Sequence, residues 1–134
     1  MKPLLLSLIL LSAPVLPAAA QDWAIDGFDA VGFLESGRPV PGRGDISTLW
    51  KGQVWHFATE ENRSRFESDP RSFAPAFGGL CPVALAEGRR VPGDPRHFLI
   101  IGNRLYLVGS SKAARKLQQA PDDILARAQQ NWKR

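Results

Sequence analysis

Two pairs of short strand-like runs constrain the fold of this chain more than anything else in it. Ile46 to Trp50 and Gln53 to Ala58 flank Lys51-Gly52, while Phe98 to Ile101 and Arg104 to Val108 flank Gly102-Asn103. A two-residue connection built from Gly or Asn suits the primed turns whose twist matches that of paired strands, so two antiparallel hairpins are expected. Alternation in the first puts Trp55 and Phe57 on one face and Val54 and His56 on the other. Helical signals lie around the hairpins. Asp29 is placed to cap Ala30 to Glu35. Thr59 starts a helix reaching Asp69, with Glu60 and Glu61 in its first turn and Pro70 to stop it. Pro82 to Ala86 reads as an apolar helical turn ended by Gly88, and Ser110 or Ser111 caps a helix through Leu117. Pro121 opens a last helix whose Ile124, Leu125, Ala128 and Trp132 form one stripe, so this tail is expected to dock on the core. Arg71 to Gly79 reads as an aromatic loop punctuated by Pro and Gly. The class expected is α+β, with two β-hairpins forming a small antiparallel sheet and several short helices packed around it. No internal repeat and no linker is read in the chain.

The opening has the order of a secretory signal. Lys2 precedes an apolar run from Leu4 to Leu11, Pro14 and Pro17 follow, and Ala18-Ala19-Ala20 offers small residues for cleavage. The run is shorter than the roughly 20 residues that a bilayer core requires. Residues 1–20 are therefore expected to be removed, leaving 21–134 as a single periplasmic or secreted domain without a membrane span. A domain of that length can bury its own core. It must do so, because a lone cysteine, Cys81, allows no intrachain disulfide. The formal charge of +4 is scattered, Arg89-Arg90 being its tightest group, which gives no footprint for nucleic acid.

Several motifs resemble those of exported YHS-domain proteins. They are Asp26-Gly27-Phe28-Asp29-Ala30-Val31-Gly32-Phe33, Trp55-His56-Phe57-Ala58, Glu61-Asn62-Arg63-Ser64-Arg65-Phe66 and Asp69-Pro70, then Phe73-Ala74-Pro75, Phe77-Gly78-Gly79-Leu80-Cys81, Gly93-Asp94-Pro95, Leu105-Tyr106-Leu107 and Asn131-Trp132. The likeness runs through almost the whole of 21–134. It implies a small binding module that is not an enzyme, with a copper or zinc ion as the ligand that related short YHS domains suggest. The cysteines of those short domains correspond here to Gly32, Ala58 and Asn62.

The residues themselves leave three functions open: a metal-binding domain, a thiol redox protein using Cys81, and a structural or interaction module that meets a periplasmic protein partner. Pro82 favours an extended Cys81 at a helix start, where the dipole favours thiolate. The apolar run Val83 to Ala86 argues instead for an inert core thiol. His56 and His97 are the only histidines, and either would join Cys81 at a metal if the sheet gathers them. Asp29 and Asp94 read as cap and turn residues. Trp50, Trp55, Phe57, Phe73, Phe77 and Tyr106 read as core, with a minority free to line a pocket. The order of Lys2, the leucine-rich run and the three alanines sets the first expected result. N-terminal sequencing of exported protein begins at Gln21 or within a residue or two of it, and intact Met1 protein in the cytoplasm would contradict this.

Overall fold

Phe57 and Val108 end the second strands of two hairpins that match each other bond for bond. The computed structural model describes residue 14 and residues 22–134, so the signal-like segment lies, apart from Pro14, outside the described residues. β1 (Arg43–Trp50) pairs with β2 (Gln53–Phe57), and β3 (Asp94–Ile101) pairs with β4 (Arg104–Val108), each antiparallel. The helices are α1 (Ala30–Ser36), α2 (Glu60–Ser68), α3 (Pro70–Phe73), α4 (Pro82–Ala86), α5 (Ser111–Gln119) and α6 (Pro121–Trp132). The class is α+β. The hairpins nevertheless stay separate, as two two-stranded sheets and not one. The edge of β2 that a second hairpin would need is occupied at Val54, which pairs with Trp23 and donates its N–H to the Asp22 carbonyl at 2.9 Å.

These elements are two copies of one unit. β1, β2 and α2 recur as β3, β4 and α5 at a constant offset of 51 residues (43 to 94, 53 to 104, 60 to 111). A 3₁₀ turn and a short helix precede each hairpin at an offset of 52 (24 to 76, 30 to 82). The irregularities recur as well. Both hairpins break register between their first pair and the next, at Arg43/Ser47 and at Asp94/Phe98. Phe28 bridges Pro41 and Leu80 bridges Pro92. Asp29 N–H reaches Val40 O at 2.7 Å, and Cys81 N–H reaches Val91 O at 2.7 Å. Thr59 Oγ1 caps α2 as Ser110 Oγ caps α5. Gly42 and Gly93 are required by close approach: a Cβ would lie 2.6 Å from His56 Cβ in one and 2.3 Å from Leu107 O in the other. The sequence reading of no internal repeat is thus corrected. A repeat of this length buries its apolar face partly against its neighbour.

Each copy has its own core and a third cluster joins them. Val31, Trp55, Phe57 and Phe66 centre the first, and Val83, Leu85, Val108 and Leu117 centre the second. Phe33 of α1 crosses to Leu105 and Leu107 of β4, with its ring 5.0 Å from that of Phe98. The stretch read as an aromatic loop folds as α3 and a 3₁₀ turn, because Pro70 opens a helical turn instead of only ending α2. In α6, Ile124 and Ala128 are buried against the second core, but Trp132 is 40% exposed. The helix docks, and its last ring lies edge-on to Phe77 with 6.1 Å between centroids.

Asp29 ties the first copy together. It is fully buried, and its Oδ1 accepts from Val31 N at 2.9 Å and Gly32 N at 3.0 Å, capping α1. Its Oδ2 accepts from Ala58 N at 2.8 Å and Asn62 Nδ2 at 2.7 Å, fastening α1 to the end of β2 and to α2. Asp29→Ala strands all four donors, and each buried orphan costs about 1–3 kcal/mol. Chemical denaturation should therefore show a loss of at least about 3 kcal/mol. Asp45→Ala, which removes only an exposed pair with Arg43, should change stability by less than about 1 kcal/mol. Equal midpoints for the two variants would contradict the assignment.

Candidate functional site

Four non-glycine residues in a left-handed backbone line one cleft, and Lys51 (φ 49) owes its conformation to the β1–β2 turn. Ile25 (φ 43), Asp26 (φ 53) and Phe77 (φ 57) sit in the 3₁₀ turns that open the two copies, Ala24–Gly27 and Ala76–Gly79. Each turn closes the same way, with Phe28 N–H to Ile25 O and Leu80 N–H to Phe77 O, both at 3.0 Å. Glycine tolerates such φ values, but a β-branched Ile does not adopt them without strain, and strain of this kind concentrates at functional sites. Both turns line the same cleft of about 600 Å³. Its walls also take Trp50, Lys51, Gln53 and Trp55 from the first hairpin and Arg104 and Leu107 from the second. Arg71 and Pro75 enter from the connection between copies, and Trp132 from the end of α6.

The electrostatics of the cleft are one-sided. Lys51, Arg71 and Arg104 make no ion pair among the described residues. The Arg104 guanidinium donates instead to the Arg71 carbonyl, which holds it in place without neutralising it. Lys51 Nζ lies 4.8 Å from the centre of the Trp50 ring. One acid, Asp26, stands on the wall, and a second, Asp94, lies beside the cleft and is already engaged. Asp94 is held down at about 2 by hydrogen bonds from the Arg96 side chain and backbone. Arg96 is in turn held above its ordinary range by its hydrogen bond to Asp94 first, and also by the charges of Asp94 and Asp26.

The residues that the sequence singled out lie elsewhere. Cys81 is 2% exposed in the second core and stands where Asp29 stands in the first copy. Like Asp29 it is extended (φ −63, ψ 116) before a helix, but its side chain makes no capping bond. His56 is 5% exposed beneath the Trp23 ring, with 4.4 Å between centroids, and its buried Nδ1 has no hydrogen-bond partner among the described residues. Leu107 occupies the matching position of the other copy. Burial of both His56 and Trp55 also means that β2 is covered on both faces. His97, half-buried in β3, matches the buried Ile46 of β1. Among the described residues no three His, Cys, Asp or Glu side chains come together as a metal-holding group. The backbone N–H groups of Gly32 and Ala58 and the Asn62 amide converge on one carboxylate, that of Asp29. No helix among the described residues is long and apolar enough to cross a membrane. Sequence reasoning missed Ile25, Asp26 and Arg104, and the signal that pointed to the cleft was the pair of matching turns, Ile25-Asp26-Gly27 and Phe77-Gly78-Gly79.

Comparison of the chain with protein-family models, curated proteins and solved structures finds no match.

Burial fixes the behaviour expected of the thiol. A buried thiol reacts at the rate at which the structure opens, so alkylation of Cys81 in the folded protein should be slow and become complete on denaturation. Fast labelling of the folded protein would show that the thiol is accessible.

Proposed function

We propose that this chain is an exported, YHS-like binding domain, not an enzyme, and that it holds a small organic ligand in the cleft between its two copies. The observation that carries the reading is that the left-handed turns of both copies line one cavity of about 600 Å³. Ligand sites favour the junction of structural units, and this volume lies within the range of about 300–1,000 Å³ common to small-molecule pockets. Cations with no ion pair among the described residues and partly exposed indoles on the walls supply a few polar groups within apolar surface, which is the usual make-up of such a pocket.

A copper or zinc centre remains the expectation from the YHS resemblance alone. Structural thiolate sites draw on about four protein ligands held close together, and Cys81, His56 and His97 are not gathered here. A fragment screen read by amide NMR tests the proposal. Hits should shift Ile25, Asp26, Phe77, Gly78 and Arg104 together. Hits confined to other surfaces, or none, would overturn it. Stoichiometric copper or zinc in protein recovered from its native compartment, lost in Cys81→Ala, would replace it with the metal reading.

A further inference from the structure

We infer that the ligand of this cleft is an aromatic anion: a planar ring carrying a carboxylate or a phosphate. The inference rests on the reading of the cleft as a ligand site and goes further by assigning the chemistry of the ligand. Three observations lead to it.

The first is charge. Lys51, Arg71 and Arg104 line the cleft without acidic partners among the described residues, and Asp26 is the one acid on its wall. Arg96 feels the charge of Asp26, but its guanidinium is bonded to Asp94 beside the cleft. Three cations against one carboxylate leave the walls of the cleft with a net positive charge.

The second is the form of the donor. Arg104 spends one N–H on the Arg71 carbonyl, so its plane is fixed and its remaining donors are pre-oriented. A fixed guanidinium fork matches two oxygens of a carboxylate or phosphate. Arg104 also marks a difference between the copies: its counterpart in the first hairpin is Gln53, on the same cleft. Of the two hairpin walls, only the second thus carries a fixed guanidinium fork, which gives a bound ligand a direction.

The third is aromatic surface. Trp50 packs at 5.6 Å from Trp55, and Trp132 stands 40% exposed at the end of α6. Indole rings offer broad, stiff apolar surface to a flat ligand.

Calorimetry on the mature protein tests the inference with four probes: 2-naphthoate, 2-naphthyl phosphate, neutral 2-naphthamide, and cyclohexanecarboxylate, which carries charge but no aromatic ring. One of the two naphthyl anions should bind about tenfold or more tighter than the amide, as expected for hydrogen bonds to a charged group. Whichever anion binds tighter identifies the head group. Cyclohexanecarboxylate should bind several-fold more weakly than 2-naphthoate, as loss of ring contacts implies. Arg104→Gln should bring 2-naphthoate close to the affinity of the amide, and Arg104→Lys should restore part of the difference. An unchanged denaturation midpoint in both variants separates this effect from misfolding. Equal binding of naphthoate and naphthamide would overturn the anion assignment while leaving the cleft as a site. Equal binding of naphthoate and cyclohexanecarboxylate would overturn the aromatic assignment in the same way. If none of the four probes binds while NMR fragments still occupy the cleft, the inference fails alone. If no fragment occupies the cleft either, the reading beneath it fails too.

Discussion

The carboxylate of Asp29 is the constraint on which the first half of this protein depends. A carboxyl side chain with no solvent exposure is costly unless its oxygens are hydrogen-bonded. Here four N–H groups from α1, the end of β2 and α2 supply those bonds. None of these three elements is long enough to persist alone, and a helix shorter than about 12 residues is marginal in water. The carboxylate makes them mutually dependent. Once α1 is held, Phe33 is presented to Leu105, Leu107 and Phe98, and the two copies are joined.

The second copy solves the same problem by other means. Cys81 stands in the place of Asp29, Ala113 in that of Asn62, and the polar knot is gone. Its core is held by apolar packing of α4 against α5 and α6, with Asn131 Nδ2 donating to the Leu85 carbonyl at 2.8 Å. One half is fixed by directional bonds and the other by area. The cleft lies where these two solutions meet, and each contributes one strained turn to it.

Much of the architecture was legible because it is written in local chemistry. The turns Lys51-Gly52 and Gly102-Asn103, the caps Asp29, Thr59 and Ser110, and the prolines at 82 and 121 act over a few residues, and the structure places them as read. The duplication was not legible, because what the copies share is mostly backbone geometry. Arg38, Val40, Pro41 and Gly42 recur as Arg89, Val91, Pro92 and Gly93, yet at the core Phe57 becomes Val108, Phe66 becomes Leu117 and Asp29 becomes Cys81. Burial tolerates such exchanges provided the volume is made up elsewhere. The site was hidden for a related reason. Sequence reasoning looked for soft ligands and found Cys81, His56 and His97, whereas the cleft is assembled from turns 52 residues apart and from a cation, Arg104, that is unremarkable until its partners are known.

Carrying both copies on one chain has a consequence for what the cleft is free to become. Two identical protomers meeting at such a surface would have to furnish it twice over with the same residues, since a closed pair repeats every contact. Any gain on one wall would be copied to the other whether or not it helped there. Covalent fusion removes that obligation. Ile25 can face a problem different from that of Phe77, and Gln53 can remain neutral while its counterpart became Arg104. The mouth of the protein thus has a left and a right, and each side is open to selection on its own.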